Sequence, residues 1–308
     1  MSTKIVLVTG ASTGFGRDTA ETLARAGHSV FASMRDTEGK NRVPALDLRG
    51  LASTENLTIT PLDLDVTSEA SVEGAVETIL RTAGRIDVVV NNAGLAAAGV
   101  SEAFTAGQVR ELFEVNVIGL HRVTRAVLPA LRRQGEGLVV NVGSILGRVT
   151  FPFFGIYGAS KFAVEALTDS YRYELSQLGV EVVLLQPSAY PTPMYANMQH
   201  AADPERATEY GEISQVPGKM FATFTELFES SSAPDPHDVA EAIERLISQP
   251  KGFRAARTVV GSPFGADAVN AHAASVQATV IEGLGLGHLT NGPAAARQPS
   301  QRSSLRGG

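Results

Sequence analysis

Ile5-Val-Leu-Val-Thr9-Gly10-Ala-Ser-Thr-Gly14-Phe-Gly16 is the stretch whose reading decides the fold of this chain. Ile5–Val8 is β-branched and too short for a helix, and an amphipathic segment from Arg17 to Ala26 follows the glycines. The order is therefore strand, glycine turn, helix. Glycine permits a tight turn and lets a diphosphate approach backbone N–H groups at a helix start, where the helix dipole also favours negative charge. Gly10, Ser12, Thr13, Gly14, Phe15 and Gly16 are thus candidate dinucleotide-binding residues, in a G-x-x-x-G-x-G variant of the usual fingerprint. A plain strand-to-helix connection is the competing reading.

The same alternation continues along the chain. Gly27 closes the first helix, and Ser29–Ser33 reads as a second strand that ends at Arg35-Asp36. An arginine there pairs with a ribose 2′-phosphate and a carboxylate accepts from a 2′-hydroxyl. Arg35 stands first after the strand with no acid before it, which predicts NADP(H) in preference to NAD(H); a solvated charge pair is the alternative. A short helix near Pro44 precedes the strand Leu57–Leu62, which runs into Asp65-Val66. That pair suits an adenine, but Thr67-Ser68-Glu69 makes helix capping an equal reading. Ser71–Thr82 reads as a helix and Ile86–Val90 as a buried strand ending in Asn91-Asn92-Ala93-Gly94, where carboxamides can staple neighbouring strand ends beside a ligand. Gln108–Arg133 is predicted as one long helix with Asn116 inside it, an unfavourable place for a carboxamide without a task. Further strands are expected at Leu138–Val142, Val180–Leu185 and Thr258–Val260, with helices at Phe162–Leu178, Asp235–Ile247 and Ala266–Ile281. These elements predict an α/β, Rossmann-type, doubly wound, mostly parallel seven-stranded sheet with helices on both faces. One dinucleotide-binding unit is expected over 1–285, and 291–308 has too little apolar surface to fold alone.

Composition narrows the partners. Apolar residues make up 44 % and charged residues 19 %, enough for a large core. A net charge of -6 without a Lys/Arg run argues against nucleic acid. The chain has no cysteine, which excludes thiol chemistry and cysteine metal sites, and His200, His237 and His272 lack metal-binding spacing. No leader pattern or membrane-length apolar run is present, so the expectation is a cytoplasmic protein acting on a small molecule.

Tyr157 and Lys161 stand four residues apart, on one face of a helix, so that an ammonium can favour the ionised form of a phenol. Alone, such a pair is also common on solvated helices. Ser144 precedes Tyr157 by thirteen residues, however, and Thr9-Gly10-x-x-x-Gly14-x-Gly16, Asn91–Gly94 and Asn116 come before it in order. With these motifs the chain resembles the short-chain dehydrogenase/reductase family over residues 3–195, and more loosely to about 260. The resemblance implies a hydride transfer between NADP(H) and a ketone or secondary alcohol. Tyr157 would be the acid/base. Lys161 would lower the phenol pKa and bind the nicotinamide ribose, Ser144 would hold the substrate oxygen, and Asn116 would fix a water joining Lys161 to solvent. Asn92, Ala93, Gly94, Asp65 and Val66 would lie along the cofactor, together with Pro187, Ser188 and Thr192 near the nicotinamide. A homodimer or homotetramer paired through the catalytic helix is also implied.

One position departs from the family pattern. Ser188 replaces a glycine, which either restricts the backbone beside the nicotinamide or is variation at a site that accepts serine. Residues 188–234 are expected to form a substrate loop. Met194, Tyr195, Met198, Met220, Phe221, Phe224 and Phe228, with Phe151–Phe154, supply either an apolar pocket for a hydrophobic substrate or ordinary core packing. A silent NAD(P)-binding sensor and an isomerase or dehydratase using bound NAD(P) are the competing functions.

Overall fold

The computed structural model describes residues 2–290. The tail reading for 291–308 lies outside the described residues. In chain order the elements are β1 (Ile5–Thr9), α1 (Gly14–Arg25), β2 (Ser29–Met34), α2 (Arg42–Glu55), β3 (Ile59–Asp63), α3 (Glu69–Ala83) and β4 (Val88–Asn91). There follow α4 (Ala106–Phe113), α5 (Leu120–Gln134), β5 (Gly137–Val142), α6 (Gly155–Leu175) and β6 (Val180–Pro187). The last part holds α7 (Pro193–Ala196), α8 (Pro204–Thr208), α9 (Val216–Glu229), α10 (His237–Ser248), β7 (Arg257–Val260) and α11 (Ala266–Gly283).

The seven strands form one sheet in the order β3-β2-β1-β4-β5-β6-β7, and every pairing is parallel. Alternate side chains of a strand point to opposite faces, and both faces are covered here. Val6, Val8, Val88, Val90, Leu138 and Val140 pack on the side of α1, α2 and α10. Leu7, Val89 and Val139 pack on the other side, against α3, α5 and α6. The order of strand addition reverses between β1 and β4, so the carboxyl ends of these two parallel strands flank the crevice where such sheets take ligands.

Two sequence expectations change. The predicted single helix over 108–133 is two helices joined by a π-helical segment, Glu114–Gly119, which contains Asn116. Its carboxamide leaves the helix to clamp Leu95: Oδ1 accepts from the Leu95 N–H at 2.8 Å and Nδ2 donates to the Leu95 carbonyl at 2.9 Å. A local widening of the helix of this kind is a recurrent device at functional sites. The stretch 188–234, expected as a loop, holds α7, α8 and α9. Prolines open each of these helices in the first turn, so residues that punctuate a loop in sequence are here helix starts.

Candidate active site

The β1–α1 turn is tied to the end of β4 through Thr9, whose hydroxyl donates to the Val90 carbonyl at 3.3 Å and accepts from the N–H groups of Asn92 and Ala93, both at 3.0 Å. Asn92 Nδ2 returns to the carbonyls of Thr9 and Gly10 at 2.9 and 3.2 Å. Asn91 Nδ2 meets Asn141 Oδ1 at 2.9 Å, fastening β4 to β5. The two carboxamides therefore staple strand ends, as their sequence predicts. Gly10 holds the turn at φ 69°, and Gly16 lies buried beneath it.

A cleft of about 510 Å³ opens above this turn. Its floor is Gly10, Ser12, Thr13, Gly14 and Phe15; Asn92, Ala93 and Gly94 form one wall, and Thr192 closes the near end. Thr13, the helix N-cap, makes no side-chain capping bond, so its hydroxyl does not take the N–H groups of the first turn. Backbone donors at a helix start, beside a turn with no side chain in the way, are a cradle fitted to a diphosphate. Arg35 lines the far end with Lys40. Asp36 is folded back, its carboxylate accepting from the Lys40 N–H at 2.7 Å. Asp65 Oδ1 accepts from the N–H and hydroxyl of Thr67 at 2.9 and 2.7 Å, and Ser68 caps α3, so the capping reading of this stretch holds; Asp65 and Val66 also line the cleft.

The cleft continues into an apolar chamber that shares Phe15, Asn92, Ala96, Thr192 and Met194 with it. Tyr157, Ser144, Lys161, Pro187 and Ser188 line this chamber. The Ser144 hydroxyl hydrogen-bonds the Tyr157 phenol. Burial pushes that phenol up to about 12, with the Ser144 bond pulling the other way. Lys161 Nζ lies 5.6 Å from the Tyr157 ring centroid and donates to the Val142 carbonyl at 3.0 Å. Burial pushes the Lys161 ammonium down to about 8. The expectation that Lys161 holds the phenol low is therefore outweighed in the free protein: desolvation of the phenolate dominates. Asn116 stands behind the pair, donating to Ser160 Oγ at 3.0 Å, and Ser160 donates to the Tyr157 carbonyl at 2.7 Å.

These shifts have a measurable sign. Lys161 falls from 10.5 unfolded to about 8 folded, so the folded state holds fewer protons between those values and its stability rises with pH across that window. Titrating the free protein with urea should show a gain of about 2 kcal/mol from pH 7 to 9.5 that Lys161→Met lacks. Tyr157 acts oppositely, but only above pH 10, where stability is lost as pH climbs towards 12. Equal slopes for the two proteins would show that Lys161 is solvated.

Residues 4–203 match the family model described as short chain dehydrogenase. The chain belongs to the short-chain dehydrogenase/reductase family. It is accordingly an NAD(P)-dependent oxidoreductase by class. This short-chain dehydrogenase is 37 % identical over 193 residues to 3-ketodihydrosphingosine reductase of Bacteroides thetaiotaomicron, covering 62 % of this chain and 66 % of that one. It is 33 % identical over 256 residues to human 17-beta-hydroxysteroid dehydrogenase type 1, covering 82 % and 76 %. Among solved structures, a short-chain dehydrogenase from Streptomyces avermitilis superposes with a TM-score of 0.72 at 32 % identity, over 93 % of this chain and 99 % of that one.

In this short-chain dehydrogenase Ser188 adopts no strained backbone. Positive φ among described non-glycine residues falls at Asp36, Asn56, Phe153 and Phe264, and the Ser188 N–H donates to the Val260 carbonyl at 2.9 Å. A serine fits there without the freedom of glycine. Of the aromatic and methionine side chains singled out in sequence, Phe151, Phe154, Met194, Tyr195, Met198 and Phe224 reach the chamber. Phe228 packs behind, 5.0 Å from Tyr195. Tyr195 is raised by burial and by the neighbouring Tyr157 phenol. Tyr190, Phe264 and Lys40 gave no signal in the sequence; they reach the site through turns whose direction no local pattern encodes.

Proposed function

We propose that the protein transfers a hydride between NADP(H) and a hydrophobic ketone or secondary alcohol, with reduction favoured at neutral pH. The observation that carries this reading is the placement of Ser144, Tyr157 and Lys161 in an apolar chamber continuous with the phosphate cradle. The nicotinamide supplies the hydride when bound. Tyr157 gives its proton to the carbonyl oxygen, Ser144 donates a hydrogen bond to that oxygen, and Lys161 holds the ribose and stabilises the phenolate left behind. Asn116 ties the Tyr157 helix, through Ser160, to Leu95 in the loop after β4. Phe151, Phe154, Met198 and Phe224 exclude water and favour a lipophilic substrate. The printed names of the relatives, a ketodihydrosphingosine reductase and a hydroxysteroid dehydrogenase, agree with that class. Exposed Ile118, Phe162 and Leu178 support a homo-oligomer paired beside α5 and α6.

A panel of sphingoid, steroid and aromatic ketones, read by loss of NADPH absorbance, tests the reading. Binding of NADPH without oxidation across the panel would turn it towards the sensor, for which Ser188 gives no support. For the cofactor, Arg35 and Lys40 face the ribose end while the Asp36 carboxylate is engaged locally. Arg35→Ala is expected to weaken NADPH by roughly 10- to 100-fold, the worth of a charge-assisted phosphate contact, and to leave NADH unchanged. Equal loss for both cofactors in a fluorescence titration would remove the NADP preference.

A further inference from the structure

We infer that Glu165, Arg148, Gln186 and Asn270 form a closed polar ring that positions the Ser144 loop and the Ser188 turn and fastens the start of α11, just after Phe264, which lines the substrate chamber. Glu165 lies one turn beyond Lys161 on α6 and is 3 % exposed. Gln186 Nε2 donates to Glu165 Oε1. Asn270 Nδ2 donates to Gln186 Oε1 at 2.6 Å, Arg148 Nε donates to Asn270 Oδ1 at 3.1 Å, and Arg148 Nη2 returns to Glu165 Oε2 at 2.8 Å. Arg257 on β7 adds a second guanidinium, its Nε 2.8 Å from Glu165 Oε2. Asp169 pairs with the same arginine, so two acids balance two bases.

The ring gathers the Ser144 turn, β6, β7 and α11 around one carboxylate on α6. Arg148 ends the single 3-10 turn that begins at Ser144, in which the Ser144 hydroxyl accepts from the Leu146 N–H at 3.1 Å and the Gly147 N–H reaches the Ser144 carbonyl at 3.0 Å. Holding the Arg148 end therefore orients the Ser144 end. Gln186 lies two residues before Ser188. Asn270 is in the second turn of α11, and Phe264, just before that helix, enters the chamber and meets Phe151 edge-on at 5.4 Å. A buried ion network of this kind adds little stability over well-packed apolar residues, whereas its many directional bonds fix geometry. Glu165, Arg148, Gln186 and Asn270 are on this reading positioning residues for the Ser144 hydroxyl and the start of α11.

The test uses the whole protein with Asn270→Ala and, should that variant fold poorly, Arg148→Lys, which keeps a cation for Glu165 but cannot also serve Asn270. Amide hydrogen exchange in 143–149 and 186–190 should quicken by about tenfold or more while β1, β4 and α1 stay protected. Turnover of an aromatic ketone should fall by about 10- to 100-fold with NADPH affinity nearly unchanged, because the reacting groups are loosened while the cofactor cleft is not, and the melting temperature should fall because buried polar groups of the ring lose their partners. Unchanged exchange in both segments, or a rise spread evenly over the chain, would overturn the ring as a positioning device. The kinetic arm rests on the reductase reading; a wild type that reduces no ketone sinks that reading, and the exchange arm still decides the ring.

Discussion

Tyr157→Phe is expected to lower turnover by about three orders of magnitude, within the range that a positioned acid or base contributes, and to leave NADPH affinity within about twofold. The change removes one oxygen from a ring that is buried, so packing is kept and the Ser144 hydroxyl loses only its phenol partner. With the phenol pushed up to about 12, its neutral form prevails at pH 7 and the proton is ready for a carbonyl oxygen. The reverse oxidation needs the phenolate, so its rate should climb with pH where the reduction does not. Stopped-flow and steady-state rates at several pH values read both. Wild-type turnover in the Phe variant, with a normal NADPH titration, would move the acid elsewhere, and the nearby Tyr195 phenol would be the next to replace.

The second large effect is expected at Gly16. A Cβ there would stand 2.3 Å from the Gly10 carbonyl oxygen and 2.4 Å from Asn92 Nδ2, distances no side chain tolerates. One obstacle is backbone and the other is the carboxamide that staples β4 to the turn, so neither yields cheaply. Gly16→Ala should therefore push the turn outward, at a cost of about 3 kcal/mol or more, the upper end of core overpacking. The cost is read as a lower melting temperature; separately, a turn pushed outward takes its N–H groups away from the diphosphate, so NADPH should weaken by roughly 10- to 100-fold. Calorimetric titration together with a thermal melt would show both. Wild-type affinity in this variant would mean that the diphosphate does not lie on the β1–α1 turn.

Lys161 and Tyr157 illustrate how far spacing carries. Four residues of separation place both on one helix face, but their protonation is set by depth: both are buried, and desolvation moves the lysine down and the tyrosine up. Asn116 is similar. Its unsuitability for a helix interior was visible, while the clamp on Leu95 that it serves joins positions 21 residues apart. The glycine expected at 188 proved unnecessary once the backbone there was seen to have ordinary dihedrals.

The sequence by itself determined the alternation of strands and helices, the parallel sheet, the glycine turn after β1 and the order of the site motifs, because period-2 and period-3.6 patterns and glycine spacing act locally. Only the tertiary structure decided the rest. It brought Lys40 beside Arg35, turned Asp36 away, carried Phe264 to Phe151, and closed Glu165, Arg148, Gln186 and Asn270 into one ring. Arg148 meets Asn270, and Phe264 meets Phe151, where chain segments more than one hundred residues apart cross, and the shorter-range contacts depend on how the intervening turns fold. Side-chain chemistry of that range is set by packing and by burial, neither of which any single stretch of the chain contains.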